Sequence, residues 1–369
     1  MNDNLLSKYA EVLIWGLTTA HQKKYQPYET VMLRWDLAAL PLAEKVYEKL
    51  IQLRLNVISR SLASEKMEYS FYQHADQKQR RFVSQGEKEL YASLNGNIFL
   101  SAPSSLTHLK NINSKKMGET AVARKFLREI AQRREEKGLY GWTLCMYPTQ
   151  ELADKARLSL PEYTQQVIKA CYLDAPAPVK KWQQTLQMAT EVKKWLNALP
   201  IKTFQVESAH TDLTITYGAK RRFMGVSGHN IPSFELFTSP DWRGTRGRYY
   251  ANLPSYRGGN YVEGVDLLFE KGSAVKIRAK KGEEYVQQTL HLDRQANKIG
   301  EFSLTDIRFS NIDKFMADIL YDENYGGQAG NCHIAVGASY SDTYTGDQKR
   351  LTKKIKQDLA STTPRCIGT

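Results

Sequence analysis

The pattern of apolar residues changes near Pro200, and this change constrains the fold more than any other feature of the sequence. Before Pro200, apolar residues recur at helical spacing in residues 4–19 and again in residues 41–53. Residues 30–35, which lie between them, have the composition of a strand. Strands that alternate with amphipathic helices favour an α/β layer with a mainly parallel sheet.

The same alternation continues through the first half of the chain. Strands are predicted at residues 57–59 and 142–147, with a short apolar run at residues 98–103 that proline ends. Helices are predicted at residues 118–137, 149–158, 161–171 and 179–199. This half has neither a G-x-G-x-x-G motif nor a Walker A motif. We therefore expect it to be a scaffold rather than a nucleotide-binding domain.

After Pro200 the segments become short, β-rich and punctuated by glycine. Strands are predicted at residues 203–207, 213–217, 249–253, 265–269, 274–279 and 285–292, with one helix at residues 311–320 behind them. This pattern indicates a curved, largely antiparallel sheet. We expect residues 1–199 to form an α/β domain and residues 200–369 to form an α+β domain.

Four potential ligands of a metal stand out in the second half: Glu235, Glu301, His333 and Tyr340. Carboxylate, imidazole and phenol groups suit a borderline divalent ion such as zinc, cobalt or manganese. Surface carboxylates, a buried core histidine, or a tyrosine that caps a buried polar group would account for the same residues. Their context favours a site, because Glu235 and His333 have apolar neighbours, and an ionisable group is costly to bury without a partner.

Several other residues are candidates with weaker support. His229, just upstream of Glu235, is a candidate for holding a ligand or contacting substrate. The remaining candidates for the wall of a cleft are Arg308, Tyr325, Asp342 and Tyr344. The sequence does not assign a general base.

These segments resemble the M29 family of metalloaminopeptidases, the aminopeptidase T and aminopeptidase S group. The resemblance covers most of the chain and includes residues 142–149, 160–163, 231–240, 298–301 and 331–340. It implies that Glu235, Glu301, His333 and Tyr340 bind two divalent ions, which could be zinc, cobalt, manganese or magnesium. It also implies that these ions activate a water molecule, which hydrolyses the N-terminal peptide bond of short peptides. It also implies a homodimer.

One part of the family's pattern is missing. The family has further ligands in a His-x-Asp motif, but no histidine follows His333 in this sequence. The tetrapeptide Cys-Ile-Gly-Thr at residues 366–369 can be encoded by bases that spell His-Trp-Asp in another frame. We hypothesise a shifted reading frame, the alternative being an ordinary divergent tail, and the coding DNA decides between them. An incomplete ligand set predicts weak metal binding and little or no peptidase activity, or an inactive binding or structural protein on the same fold.

The composition of the chain limits the kinds of partner and the cellular location that we expect. The net charge of +13 is high, but the basic residues are spread along the chain without interleaved aromatic residues, so nucleic-acid binding is not expected. The N-terminus has no signal-peptide pattern, and no apolar run is long enough to cross a membrane. The four cysteines form no close-spaced pair. A cytoplasmic protein without membrane association is expected.

Overall fold

The computed structural model describes residues 1–362. The first part of the chain alternates helices and strands: α1 (Asp3–His21), β1 (Thr30–Trp35), α2 (Leu40–Gln52), β2 (Asn56–Ser61), α3 (Glu65–His74), α4 (Gln77–Arg81), α5 (Glu87–Ser93), β3 (Gly96–Ser101), α6 (Ser114–Ala123), α7 (Lys125–Glu136), β4 (Gly141–Met146), α8 (Gln150–Ala156), α9 (Leu160–Ala170) and α10 (Pro178–Ala198).

The second part is rich in short strands: β5 (Thr203–Glu207), β6 (Asp212–Thr216), β7 (Asn230–Ile231), β8 (Glu235–Thr238), β9 (Asp241–Tyr250), β10 (Ser255–Arg257), β11 (Asn260–Val262), β12 (Asp266–Glu270), β13 (Ser273–Arg278), α11 (Glu283–Leu290), β14 (Ile299–Thr305), α12 (Ile319–Asp322), β15 (Asn331–Val336) and α13 (Lys353–Asp358). The hypothesis of a shifted reading frame falls on residues 363–369, which lie outside the described part of the chain.

A parallel sheet organises the first part. Its strand order is β2-β1-β3-β4-β7, and every neighbouring pair runs parallel. Asn2 caps the start of helix α1, where its side chain accepts a hydrogen bond from the Leu5 amide. Tyr9, Leu13 and Leu17 of α1 are buried in the core of this layer. Apolar residues at helical spacing therefore place α1 on the sheet, as the sequence predicts.

Antiparallel sheets make up the second part. One sheet has the order β13-β12-β9-β6-β5, and a smaller one has the order β15-β14-β8, while β10 and β11 form a hairpin. Phe302 of β14 and Phe269 of β12 lie in the core that these sheets share. The predicted fold class is confirmed: a parallel α/β layer is followed by an α+β region with antiparallel sheets.

The two parts are joined by more than one connection. Strand β7, from the second part, completes the parallel sheet by pairing Asn230 with Leu144 of β4. Phe223 and Phe234 lie in the core of the first part. The boundary between residues 199 and 200 therefore stays a prediction, although α10 ends at Ala198. Within residues 1–362, no helix has both the length and the apolar character needed to cross a membrane.

The strand predicted at residues 285–292 is wrong, because this segment belongs to helix α11. Val286 and Leu290 are four residues apart, and both pack against the second core. Glu283 and Glu284 lie in the first turn, where negative charge favours a helix. The short, β-rich character of this part of the sequence suggested a strand, but the helical spacing of Val286 and Leu290 decides the structure.

The helix predicted at residues 311–320 is also wrong, since only its end forms the short helix α12. Ala317 has a φ of 52°, a left-handed conformation that interrupts a helix. The Asp322 carboxylate accepts hydrogen bonds from the amides of Met316 (2.7 Å) and Asp318 (3.1 Å) and so holds the irregular segment. The helix predicted at residues 118–137 is divided into α6 and α7, which meet at Arg124.

Candidate metal centre

Three strands bring the proposed ligands to one face of the small antiparallel sheet. In β14, Ser303 pairs with His333 of β15, and Thr305 pairs with Glu235 of β8. Directly paired residues project to the same face, and so do alternate residues of one strand. Glu301, two residues before Ser303, therefore joins Glu235 and His333 on this face.

A bulge at Gly300 shapes one edge of the site. The pairing of β14 with β15 shifts between Ile299 and Glu301. A Cβ atom on Gly300 would lie 2.2 Å from the carbonyl oxygen of Ala338, so this position tolerates only glycine. The close approach brings the segment that follows β15, which carries Tyr340, to the start of β14.

Glu235, Glu301 and His333 form a compact cluster. Each offers a ligand atom, and these atoms all lie within 4.8 Å of one another. Nε2 of His333 is 3.3 Å from Oε2 of Glu235, and the Ser303 hydroxyl donates to the same oxygen at 2.7 Å. The two carboxylates are buried, with 5% and 6% of their residue surface exposed.

The electrostatics of the cluster suit a cation. Burial raises the pKa of Glu301 well above its usual range, and the nearby Glu235 and Asp342 raise it further. Burial lowers the pKa of His333, against the opposing effect of Glu235, which favours the neutral imidazole that metals bind. Two carboxylates and one imidazole are a donor set that zinc, cobalt and manganese accept.

The second nitrogen of His333 has an incomplete environment. Nδ1 is buried and makes no hydrogen bond of ordinary geometry among the described residues. The main-chain carbonyl of Glu323 nevertheless lies close enough to the ring to favour its protonated form. Because a histidine ligand usually donates its second N–H to such a carbonyl, Glu323 is in position to orient the ring.

Tyr340 lies beside this cluster. Its amide donates to Oγ of Ser239 at 2.8 Å, and its ring packs against Phe237 with centroids 5.2 Å apart. The residue keeps 37% of its surface exposed, yet burial of its hydroxyl raises the pKa of Tyr340 well above its usual range. Repulsion from Glu301, Glu323 and Glu235 adds to this effect. The phenol therefore faces the same carboxylates as the metal would.

Glu323 is a residue of the site that sequence analysis missed. Its carbonyl accepts hydrogen bonds from Oγ1 of Thr305 (3.3 Å) and Nδ2 of Asn331 (3.1 Å), so its main chain is held against the sheet. Burial raises the pKa of its carboxyl well above the usual range, and repulsion from Glu235 and Glu301 contributes. The available signal was a pair of acids, Asp322 and Glu323, directly after the apolar run at residues 319–321.

The structure places two of the weaker candidates, His229 and Asp342, in different positions relative to the metal centre. Nε2 of His229 lies 2.9 Å from Oε1 of Glu135, and its Nδ1 lies 2.7 Å from Oγ of Ser227, which makes it part of a neighbouring polar cluster. Asp342 lies near both this cluster and the metal centre. Burial raises the pKa of Asp342, His229 lowers it and Glu135 raises it. The same carboxylate raises the pKa of Glu301.

The other predicted wall residues make contacts with groups outside the ligand cluster. The Arg308 side chain is 80% exposed and pairs with Asp306, so it faces solvent rather than the cluster. Tyr325 packs against the first core, and Tyr344 forms a bridge with Arg221. Nothing in these contacts brings the three residues to the metal centre.

Comparison with known proteins gives the family. The family model "Thermophilic metalloprotease (M29)" matches residues 2–361. Aminopeptidase T of Thermus thermophilus is 27% identical over 217 residues, which cover 56% of this chain and 51% of that protein. Aminopeptidase AmpS of Bacillus subtilis is 28% identical over 229 residues, which cover 59% and 54%. The matches to these two relatives thus span about half of their length.

The fold is shared with a solved structure. Wild-type AmpT from Thermus thermophilus superimposes with a TM-score of 0.77 and 19% identity, over 97% of this chain and 90% of that one. The parallel and antiparallel sheets described above are thus those of this fold. Because the family model covers nearly the whole sequence, the resemblance inferred from its motifs is confirmed, and the chain belongs to the M29 family of metalloproteases.

Proposed function

We propose that this protein is a metal-dependent aminopeptidase that removes the N-terminal residue of short peptides. Divalent cations would be held by Glu235, Glu301 and His333, with Tyr340 as a further ligand. The observation that carries the proposal is the meeting of the first three side chains, with ligand atoms within 4.8 Å, on one face of a small sheet. Membership of the M29 family supports the same chemistry.

The buried carboxylates give this site its preference for a positive charge. Glu235 and Glu301 are close together and shielded from solvent, and burial together with the charge of Glu235 raises the pKa of Glu301. A cation offsets this cost, which makes its binding favourable. Bound at this position, a divalent ion supplies Lewis-acid polarisation of the substrate carbonyl and acidifies a water.

The protein's own groups would orient the ligands and move the proton. The Ser303 hydroxyl fixes one oxygen of Glu235, and the neutral ring of His333 needs no proton release before binding. We assign Glu323 as the general base, since it lies beside the cluster but outside the trio of closely spaced ligands. Its pKa is raised by burial and by the neighbouring carboxylates, so it holds an accepted proton more readily than an ordinary glutamate does.

The number of ions, the homodimer and the cytoplasmic location stay predictions. The resemblance implies two ions, whereas the described residues bring together one compact set of three donors with a tyrosine beside it. Weak metal binding and low turnover, expected from the incomplete ligand set, likewise stay predictions. The stoichiometry of metal binding tests the first of them directly.

The experiment is a metal titration of the metal-free protein followed by a peptidase assay. Zinc, cobalt, manganese and magnesium are titrated calorimetrically, and hydrolysis of a leucine anilide is measured with each ion. Glu301→Gln should abolish saturable binding and turnover. Glu119→Gln is the control, because Glu119 forms a half-buried ion pair with Arg80 away from the strands of the site.

Each outcome has a clear meaning. Saturable binding that depends on Glu301, together with metal-dependent hydrolysis, supports the proposal. Saturable binding without hydrolysis of any amino-acid anilide favours the alternative, a non-catalytic member of the same fold. The metal centre itself is contradicted if the wild type and Glu301→Gln bind zinc equally.

A further inference from the structure

We propose that Glu136, at the end of α7, is a positioning residue that sets the place of Tyr340 at the metal centre by holding the adjacent Ser341. This inference rests on the proposed function, in which Tyr340 is a ligand. It assigns a role in the site to a helix of the α/β part of the chain, which the sequence analysis treated as scaffold.

The contacts converge on one carboxylate oxygen. Oε1 of Glu136 accepts a hydrogen bond from the Ser341 hydroxyl at 2.9 Å and from Nε2 of Gln132 at 3.1 Å. Nζ of Lys356, in α13, lies 3.4 Å from the same oxygen. Nε2 of Gln132 also reaches the Ser341 hydroxyl at 3.3 Å. Ser341 is thus held by two side chains of α7.

Other groups fix the main chain on both sides of Ser341. The Tyr340 amide donates to Ser239, and the Tyr340 carbonyl accepts a hydrogen bond from Oγ1 of Thr343, each at 2.8 Å. Nε of Arg222 donates to the carbonyl of Asp342, also at 2.8 Å. With the neighbouring main chain tied down, a displacement of Ser341 is transmitted to the residue before it, Tyr340.

A glutamate at the C-terminal end of a helix is electrostatically unfavourable, and the contact of Glu136 with Ser341 offers a reason for its presence there. Glu135 and Glu136 are the last two residues of α7, where the helix dipole disfavours negative charge. Both carboxylates are instead used for contacts across the fold. Oε1 of Glu135 accepts from Nε1 of Trp142 and meets His229, while Glu136 holds Ser341.

A purely structural role for Glu136 is the competing explanation. Its pair with Lys356 is half-buried, with side-chain exposures of 15% and 21%, and such a pair can contribute to stability alone. The Arg80–Glu119 pair, with exposures of 11% and 14%, is a matched pair in the same part of the chain. Glu119→Ala is therefore the control for the loss of an ion pair.

The test compares variants of the full chain by three readouts. Zinc affinity is measured by calorimetry, and the ionisation of tyrosine on zinc addition is measured by ultraviolet difference spectroscopy, with Tyr340→Phe defining the share that comes from Tyr340. Hydrogen exchange of the peptide containing Tyr340, measured without metal, reports the position of the segment independently.

We expect Glu136→Ala to lower zinc affinity roughly tenfold, to remove most of the Tyr340 signal and to speed exchange around Tyr340. Glu136→Gln should retain most of the zinc affinity and most of the Tyr340 signal, because its amide oxygen still accepts a hydrogen bond from Ser341. Lys356→Met, which removes only the cation, should resemble the wild type. Glu119→Ala should change neither the zinc affinity nor the Tyr340 signal.

Three results would overturn the inference, and they are distinguishable. If Tyr340→Phe weakens zinc binding but Glu136→Ala does not, the positioning role is wrong and the proposed ligand set stands. If Tyr340→Phe binds zinc with the same affinity and spectrum as the wild type, Tyr340 is not a ligand, and the inference fails with that assignment. Equal effects of Glu136→Ala and Glu119→Ala also reject a specific role.

Discussion

Nε2 of His333 lies 3.3 Å from Oε2 of Glu235, although the two residues are on different strands with β14 between them. The residue of β14 that pairs with His333 is Ser303, whose small side chain leaves room for this approach. Its hydroxyl donates to the same oxygen of Glu235 at 2.7 Å. A short polar residue in the central strand thus lets the outer two meet.

Replacing this serine tests the arrangement. Ser303→Ala removes a hydrogen bond to a buried carboxylate, which is worth about 1.5–3 kcal/mol when the acceptor is charged. We expect zinc affinity to fall roughly tenfold or more while the fold is retained, since alanine fits the same space. Calorimetry measures the affinity, and circular dichroism checks the fold. An unchanged affinity would show that Ser303 does not orient Glu235.

The pH dependence of metal binding should reflect the protonation of the Glu301 carboxylate. Burial and the neighbouring Glu235 raise the pKa of Glu301, so a proton competes with the metal at a higher pH than for an ordinary glutamate. Zinc affinity should therefore fall with decreasing pH, by up to about tenfold per pH unit below the folded-state pKa of Glu301. The pKa of His333 is lowered, so its imidazole stays neutral further into acid.

Glu301→Asp is the informative variant for that prediction. It keeps a carboxylate but moves it, so the affinity should drop and the acid-side decline should shift in pH. Calorimetric titrations between about pH 5 and pH 8 in a non-chelating buffer measure both changes. If wild-type affinity is flat across this range, Glu301 does not bind metal as the carboxylate.

In the metal-free protein, ionisation of the buried Glu323 carboxyl should lower the free energy of unfolding. Its pKa is raised in the folded state, so the folded protein holds a proton that the unfolded chain loses as pH rises above its ordinary value. The free energy of unfolding therefore decreases with rising pH, by up to about 1.4 kcal/mol per unit, until the folded-state pKa is reached. Glu323→Gln removes this cost.

Thermal unfolding of the metal-free protein measures the effect. We expect Glu323→Gln to be more stable than the wild type at pH 8, and this advantage to shrink toward pH 4, where both states are protonated. The same variant should lose peptidase activity, if Glu323 is the general base. A variant that is less stable at pH 8 would mean that the Glu323 carboxylate is well compensated in the folded state.

Gly300 provides a test of the bulge in β14. A Cβ atom there would meet the Ala338 carbonyl at 2.2 Å, so Gly300→Ala should cost about 1–3 kcal/mol and displace the segment before Tyr340. Gly118→Ala is the matched control, since its Cβ would approach no atom closer than 3.9 Å within helix α6. That control should be neutral or stabilising by up to about 1 kcal/mol. Denaturant unfolding compares the two.

The sequence predicted what depends on local pattern. The local pattern of apolar residues identified α1 and strands β1 to β4 of the parallel sheet, but not the short strand β7. The same reasoning misassigned residues 285–292, which were predicted as one more short strand of the β-rich second half. Only the packing of Val286 and Leu290 on one core settles the helix.

Features that depend on distant contacts could not be predicted from the sequence. The left-handed conformation of Ala317 is stabilised by hydrogen bonds to Asp322, which the periodicity of residues 311–320 does not reveal. Glu323 is recognisable as a site residue only when the sheet brings Thr305 and Asn331 to its carbonyl. The neighbouring polar cluster around His229 depends in the same way on Glu135, which is 94 positions away in the chain.

The most direct test of the metal centre is anomalous diffraction from crystals of the protein grown with zinc. We expect an anomalous peak at about 2.0–2.2 Å from His333 and from carboxylate oxygens of Glu235 and Glu301. Crystals of Glu301→Gln should lack this peak under the same conditions. Zinc bound elsewhere in the wild type, with these three side chains left uncoordinated, would contradict the account.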